Sequence, residues 1–169
     1  MTAPVMSRPV AVEARLSFED FFESSARQVA AIVALTTGDA ALAEDATQEA
    51  MTRAYAKWDR VSMLERPDLW VTRVAANLAI DAWRRRRREV GLTDASAHPE
   101  PRDEIRALWV RWAMERLTPE DRLLLILRHR DGLSVNEIGA LMAKSPHTVT
   151  KYLKRARRRF RAVASEGDE

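Results

Sequence analysis

The sequence predicts an all-α protein built from two small helical domains that a flexible linker joins. Apolar residues recur at helical spacing along most of the chain, and no stretch shows the strict alternation of a strand. Residues 89–104 interrupt this pattern with Gly91, Pro99, Pro101 and several acidic side chains, which is typical of a linker. At 169 residues, 46% of them hydrophobic, the chain can form two domains of roughly 70 residues each.

The first domain is predicted over residues 17–88, after a flexible leader at residues 1–16 that carries two prolines and no sustained period. Ser17 with Asp20 three positions later is an N-terminal capping pattern, so a helix should begin there. Gly38 suits the left-handed conformation that commonly ends a helix. We therefore expect the first helix of a bundle between Ser17 and Gly38.

Two further helices complete the predicted bundle. Asp39 is a natural N-cap for the second helix, which should run to about Lys57. A loop over residues 58–66 follows, and Pro67 is a favoured first residue for the third helix. That helix continues into a run of arginines at residues 84–88. Cations are mildly favoured at a helix C-terminus, so the run alone indicates only a solvated helix end.

The second domain is predicted as four helices over residues 105–163, followed by a tail at residues 164–169. Thr118 and the proline after it start the second of these helices, with Asp121 completing a Thr-x-x-Asp capping box. Gly132 and the aspartate before it should end that helix. The last two helices then form a helix-turn-helix pattern.

Local signals define this helix-turn-helix. Ser134 and Glu137 form a capping box for its first helix, and Ser145 followed by Pro146 starts the second. No acidic residue lies within residues 144–161. Such a helix can enter a major groove, although a solvated charged face on an ordinary bundle helix is the alternative. The candidate duplex-contacting residues on its polar face are His147, Thr148, Thr150, Lys151, Lys154 and Arg155.

A mixed polar stripe lies on the third helix of the first domain. Its members recur at helical spacing and are Arg73, Asn77, Asp81 and Arg84. Separated bases need stacking surfaces and edge contacts, whereas an intact duplex needs mainly cations, so this mixture suits a strand that is being opened. Trp58 and the loop after it are a candidate pocket for an extruded base. The alternative is that the tryptophans are large core residues.

Composition and charge limit the possible chemistry. The chain has no cysteine, which excludes disulfides, thiolate metal sites and a thiol switch. His98, His129 and His147 lack spacing suited to zinc or to a nucleophile with its base, and no glycine-rich phosphate loop occurs. No signal-peptide core or apolar run of about 18 residues is present. We expect a cytoplasmic protein that is not an enzyme, holds no metal or cofactor, and does not insert into membranes.

Three segments together resemble the bacterial extracytoplasmic-function sigma factors of the sigma-70 family. They are GDAALAEDATQEAMTRAYAKWD, RPDLWVTRVAANLAIDAWRRRRR and LTPEDRLLLILRHRDGLSVNEIGALMAKSPHTVTKYLKRARRRFR. The resemblance covers most of residues 18–161. It depends on the order of the three segments, because the helix-turn-helix alone also resembles response-regulator output domains. It implies that residues 17–88 are the family's region two and residues 105–163 its region four. It also implies that the chain brings core RNA polymerase to promoter DNA and helps to open it.

The resemblance further implies roles for individual residues. The family's clamp-binding helix, which docks on the largest polymerase subunit, matches Asp39, Glu44, Asp45, Gln48 and Glu49. The parts that melt and read the minus-ten element match the 58–66 loop with the helix carrying Arg73, Asn77 and Asp81. The positions facing the minus-thirty-five element match Thr150, Lys151, Lys154 and Arg155. The family's linkers thread towards the polymerase active-site cleft, and its members are commonly sequestered by anti-sigma factors.

Two positions depart from the family pattern. Ala76 stands where the family often has an arginine before the asparagine, and Thr150 stands where lysine or arginine is common. Since a threonine can offer a hydroxyl to several bases or a methyl group to thymine, the resemblance implies no particular promoter sequence.

Two other classes of function fit parts of the sequence. An ordinary transcriptional regulator would bind duplex through the second domain while the first domain dimerises or senses a signal. That class leaves the acidic helix, the stripe and the linker without a joint explanation. An interaction module would bind an acidic protein through its basic faces, which is also compatible with regulation by an anti-sigma factor.

Overall fold

The computed structural model describes residues 16–90 and 105–166, and both ranges are helical with no strand. Residues 1–15 of the predicted leader, residues 91–104 of the predicted linker and residues 167–169 of the predicted tail lie outside the described residues. The prediction of an all-α protein is confirmed.

Eight α-helices and one π-helical turn occur in the described part of the chain. They are α1 (Phe18–Thr37), α2 (Ala40–Tyr55), α3 (Trp58–Val61), α4 (Pro67–Val90), α5 (Ile105–Glu115), α6 (Pro119–Leu125), the π-helical turn (Ile126–Arg130), α7 (Val135–Met142) and α8 (Pro146–Glu166). The predicted helix-turn-helix corresponds to α7 and α8.

Local capping sets the junction between α1 and α2. The Ser17 hydroxyl accepts a hydrogen bond from the Asp20 N–H at 3.1 Å, and the Asp39 carboxylate accepts one from the Leu42 N–H at 2.9 Å. Gly38 between the two helices has a φ of +76°, which favours glycine. Helices α1, α2 and α4 then pack together as the predicted three-helix bundle. Its core includes Phe21, Val33, Ala50, Met51 and Val71.

Two boundaries in the first domain differ from the prediction. The sequence predicts a loop over residues 58–66, but the first four of these residues form α3. The Trp58 ring lies 5.0 Å from the Phe21 ring, centroid to centroid, and its Nε1–H donates to the Leu16 carbonyl at 3.1 Å. These contacts hold α3 against α1. Helix α4 continues through Val90, two residues into the predicted linker, because arginine is favourable inside a helix.

The second domain forms around α8. Ser134 and Glu137 make the predicted capping box of α7, with both reciprocal hydrogen bonds present. Thr118 caps α6 by accepting a hydrogen bond from the Asp121 N–H. The Asp121 carboxylate contacts arginines of α8, which the predicted Thr-x-x-Asp box did not anticipate. The buried core of the domain includes Leu124, Leu127, Ile138, Val149 and Leu153.

Close backbone packing fixes the angle between α7 and α8. A Cβ atom on Gly139 would lie 2.8 Å from the Lys144 carbonyl oxygen, so any other residue would push the turn away from α7. The Lys144 N–H donates to the Gly139 carbonyl at 2.9 Å, and Ala143 between them has a φ of +51°. The turn is therefore held at van der Waals contact with the helix it follows.

The two domains pack directly on one another. Ile32 of α1 and three residues of α4 are buried in the same apolar cluster as the core of the second domain; the α4 residues are Leu69, Ala76 and Ile80. Arg66 donates to Glu137 at 2.7 Å across this contact, and Arg84 pairs with Glu120. The sequence predicts two domains but not this shared apolar contact between them.

Candidate nucleic-acid and polymerase interfaces

The start of α8 is built as an exposed, rigid platform. Ser145 caps the helix by accepting a hydrogen bond from the Thr148 N–H at 3.2 Å. Val149, Leu153 and Ala156 are buried, which fixes the rotation of the helix about its axis. The opposite face is solvent-exposed at four of the predicted duplex-contacting residues, namely His147, Thr150, Lys151 and Lys154. Thr148 and Arg155 are half-buried.

The two threonines of this face differ in what they can offer to a base. The Thr148 hydroxyl lies 2.9 Å from the Ser145 hydroxyl and is part of the helix cap. The Thr150 hydroxyl donates to the Pro146 carbonyl at 2.9 Å. Because its proton is used by the backbone, the Thr150 oxygen is left to accept a hydrogen bond, and its methyl group is free for apolar contact.

Four cations of α8 fall into two groups, while Arg157 donates to His129 and Arg158 is exposed with no ion pair within the described residues. Arg159 and Arg155 pair with Asp121 of α6, at 2.6 Å and 3.5 Å respectively. Lys151 and Lys154 are exposed and have no ion pair within the described residues. The unpaired group is the one on the predicted DNA-contacting face, so it can bind phosphate without first breaking a contact.

His129, in the π-helical turn after α6, also contacts α8. The Arg157 Nε–H donates to His129 Nε2 at 3.3 Å. Burial, and then the charges of Arg157 and Arg128, lower the pKa of His129. The imidazole is therefore neutral at pH 7 and can accept this hydrogen bond. His129 is a structural partner of α8 and not one of a metal-ligating group, and the described residues contain no cluster of His, Asp and Glu that suits a metal ion.

The structure brings the predicted stripe of α4 together at one cavity. This cavity, of about 270 Å³, lies between α4 and the second domain, and its walls include all four stripe residues, Arg73, Asn77, Asp81 and Arg84. Glu120, Leu123, Leu141 and Met142 close it from the other side. Trp58 is not part of its lining, since its ring packs against α1. The predicted minus-ten surface is thus partly covered by the second domain.

The acidic face of α2 is exposed as predicted at four positions. These are Glu44, Asp45, Gln48 and Glu49. Glu49 pairs with Arg53 one turn later at 2.8 Å, and Glu44 and Asp45 have no ion pair within the described residues. Asp39 is less available, because it caps α2 and also pairs with Arg86 at 2.6 Å.

Two large apolar side chains of the first domain are exposed. Tyr55, the last residue of α2, is 64% exposed, and Met63, just after α3, is 69% exposed. The sequence predicts that Tyr55 faces inward, because it continues the apolar period of α2. The ring instead lies across the end of the bundle, 5.0 Å from the Phe18 ring centroid.

The fold and these surfaces define a two-domain helical protein with a basic helix-turn-helix of the kind that binds DNA. Comparison with known proteins identifies the family. The Sigma-70 region 2 family model matches residues 21–89, and the Sigma-70, region 4 model matches residues 107–160. The chain belongs to the sigma-70 family of RNA polymerase sigma factors, in its extracytoplasmic-function group.

Individual relatives cover most of the chain. RNA polymerase sigma factor CarQ of Myxococcus xanthus is 31% identical over 157 residues, which cover 89% of this chain and 90% of the relative. ECF RNA polymerase sigma factor SigL of Mycobacterium tuberculosis is 34% identical over 139 residues, 77% of this chain and 78% of the relative. The sigma factor RpoE of Bartonella quintana, solved in complex with the anti-sigma factor NepR, has the same fold. Its TM-score is 0.71 at 22% identity, over 88% of this chain and 96% of that one.

The function of the chain follows from its membership of this family. It directs core RNA polymerase to specific promoters, recognises the minus-ten and minus-thirty-five elements, and helps to open the DNA for transcription initiation. Sigma factors are non-catalytic initiation factors. Within the described residues, no helix is long and apolar enough to cross a bilayer.

Proposed function

We propose a division of this activity among three surfaces. Residues 17–88 act as region 2 and residues 105–163 as region 4, connected by residues 89–104. The polymerase-binding surface consists of Asp39, Glu44, Asp45, Gln48 and Glu49. The minus-ten surface consists of Arg73, Asn77, Asp81 and Arg84, with Trp58 supporting it from the α3 side. The minus-thirty-five surface consists of His147, Thr148, Thr150, Lys151, Lys154 and Arg155.

The single observation that carries this proposal is the construction of α8. A capped N-terminus, a buried face of three residues and two unpaired lysines on the opposite face are what a major-groove helix requires. Thr150 lies between these lysines and the helix start, where base edges are read. The phosphate contacts would come from Lys151 and Lys154, because no ion pair engages their charges within the described part of the chain.

Polymerase binding is assigned to the acidic face of α2. Its four exposed polar side chains lie on a helix whose other side is locked into the bundle core, so the face is presented without local rearrangement. Exposed carboxylates steer association with a basic partner surface. We place the protein in the cytoplasm, where its polymerase partner acts, and assign all catalysis to the polymerase.

The packed arrangement cannot read both promoter elements at once. The two elements lie about 25 base pairs apart, which is about 85 Å along a duplex. A domain of this size has a radius of gyration of only about 11 Å, and Arg84 of the minus-ten surface is in contact with Glu120 of region 4. Residues 91–104 can bridge at most about 50 Å. Promoter recognition therefore requires the two domains to separate.

An anti-sigma factor is the proposed regulatory partner. A groove of about 890 Å³ lies between α1, α5 and α8, with an apolar floor formed by Leu35, Val110, Met114, Leu125 and Phe160. Arginines flank it, namely Arg111, Arg130, Arg157 and Arg161. An amphipathic helix with acidic flanks would match this groove in both shape and charge. The likeness to a sigma factor solved with its anti-sigma factor supports this choice of partner.

Run-off transcription tests the proposal. Purified core polymerase is assayed with and without the protein on a genomic promoter library, and transcript starts are sequenced. Protein-dependent starts that share two spaced upstream elements are expected. Tight duplex binding without polymerase, together with no new starts, would instead support an ordinary transcriptional regulator.

A further inference from the structure

The Asp121 carboxylate occupies an unusual position beneath the DNA-reading helix. It is fully buried, with 0% of its side chain exposed. Its Oδ2 atom accepts from Arg159 Nη1 at 2.6 Å, and its Oδ1 atom lies 3.5 Å from Arg155 Nη2. One carboxylate on α6 thus contacts two arginines that are one turn apart on α8.

Both arginines keep a solvent-exposed side while they are held. The Arg155 side chain is 42% exposed and the Arg159 side chain is 48% exposed. The Arg155 guanidinium also lies over the Tyr152 ring, 4.9 Å from its centroid. These contacts therefore orient both guanidinium groups at the surface, beside the proposed DNA-contacting residues.

This arrangement is not the one that would best stabilise the fold. The Arg155 Nε atom is buried and has no hydrogen-bond partner, which is unfavourable for a charged donor. A buried ion pair is also weak evidence for stability, since apolar replacements are often as stable. A functional reason for fixing the two guanidinium groups accounts for the geometry better than stability does.

We infer that Asp121 is a positioning residue for promoter recognition. It holds Arg159 away from phosphate and gives Arg155 one orientation. Among the cations over residues 151–159 of α8, Lys151, Lys154 and the exposed Arg158 then stay free to bind phosphate. Holding the two arginines in this way limits binding to arbitrary DNA, because sequence-independent affinity grows with the number of phosphates neutralised. The inference rests on the proposed duplex-reading role of α8.

The test compares the full-length protein with its Asp121→Asn variant. Binding is measured by fluorescence anisotropy between 50 and 200 mM salt, on a duplex carrying the upstream element found by run-off transcription and on a shuffled duplex. Asparagine keeps the shape but removes the negative charge and one of the two acceptor oxygens that hold the guanidinium groups. The slope of log affinity against log salt should steepen by about 0.9 for each guanidinium that reaches a phosphate. Preference for the specific duplex should fall.

Two controls separate positioning from a structural role. Glu115→Gln removes one carboxylate from the same domain, but its partner is Arg111 on α5, so the slope should not change. In a chain that carries Arg155→Ala and Arg159→Ala, Asp121→Asn should no longer steepen the slope. A lowered melting temperature with an unchanged slope in Asp121→Asn would overturn the inference and leave Asp121 a structural residue.

The inference stays testable if Asp121→Asn does not fold. Arg159→Ala should then leave the salt slope of the wild-type protein unchanged, whereas Lys154→Ala should reduce it by about 0.9. Equal reductions in the two variants would show that Arg159 is a free phosphate contact and refute the inference. If neither the wild-type protein nor any variant shows salt-dependent duplex binding, the proposed role of α8 fails first.

Discussion

Replacing Ala76 by arginine should separate the two domains. Ala76 is 1% exposed and lies in the apolar cluster that α4 shares with region 4. The core of region 2 is formed by other residues, so the first domain should keep its fold. The substitution therefore acts on the contact between the domains more than on either domain.

The free-energy cost of Ala76→Arg in the closed arrangement depends on the surroundings of the new side chain. Ala76 also lines the cavity between α4 and the second domain, where the carboxylates of Asp81 and Glu120 already pair with Arg84. Fitting an arginine side chain there costs about 1–3 kcal/mol, and burying its charge without a free carboxylate partner adds a further cost of a few kcal/mol. Neither the packing cost nor the cost of burying the charge applies in the separated state, because position 76 is then in water. A combined penalty of at least about 3 kcal/mol shifts the equilibrium towards separation by about 150-fold.

Small-angle X-ray scattering measures this separation directly. A compact chain of this length has a radius of gyration of about 16 Å, and two domains with centres about 40 Å apart have one of about 23 Å. Ala76→Arg should move the value towards the larger figure, with circular dichroism unchanged. Ala41→Arg, the same substitution on an exposed position of α2, should not. Equal radii for the two variants would refute the reasoning about the shared contact.

Three further predictions concern polymerase docking, the turn between α7 and α8, and pH. Asp45→Lys with Glu49→Lys should abolish pull-down of core polymerase without lowering the melting temperature, because both side chains are exposed; normal retention would contradict the docking assignment. Gly139→Ala should destabilise region 4 by about 1–3 kcal/mol in thermal melts, because its Cβ meets the Lys144 carbonyl. The hydrogen bonds from Ser134, and then the charge of Arg66, lower the pKa of Glu137. The Ser134 bonds lie within region 4 and persist when the domains separate, so only the Arg66 contact contributes to domain closure. That contribution is complete at neutral pH and is lost as pH falls through the pKa of Glu137. Scattering against pH should show this loss in the wild-type protein, and the same acid transition in Glu137→Gln would assign it to other groups.

Local chemistry made most helix ends predictable from the sequence. Ser17, Ser134 and Ser145 each cap the helix that the sequence assigns to them, because a cap depends only on residues three or four positions away. The same holds for the left-handed residue at Gly38. The proposed DNA-contacting face of α8 follows from the helical period once its start is fixed.

The contacts between elements were not predictable in this way. An apolar residue on α4 has the same helical spacing whether it faces its own bundle or the other domain, so Ile80 and Ala76 gave no sign of the shared cluster. Tyr55 fits the apolar period of α2 but lies at the end of the bundle, where it contacts the Phe18 ring of α1 on one side and stays 64% exposed. The sequence predicts that Asp121 completes the capping box of Thr118, because the two residues are three positions apart, whereas the ion pairs of Asp121 with α8 span 34 and 38 positions.

The shared apolar cluster has a consequence for how long the free protein lasts in a cell. Ile32, Leu69 and Ile80 are buried in the contact between the domains, so separation places three large apolar side chains in water together. Chaperones and proteases act on such transiently exposed surface. A separated chain that does not reach polymerase is therefore a substrate for degradation, while the closed chain is protected. The contact that covers the proposed minus-ten surface would in this way also set the duration of the transcriptional response.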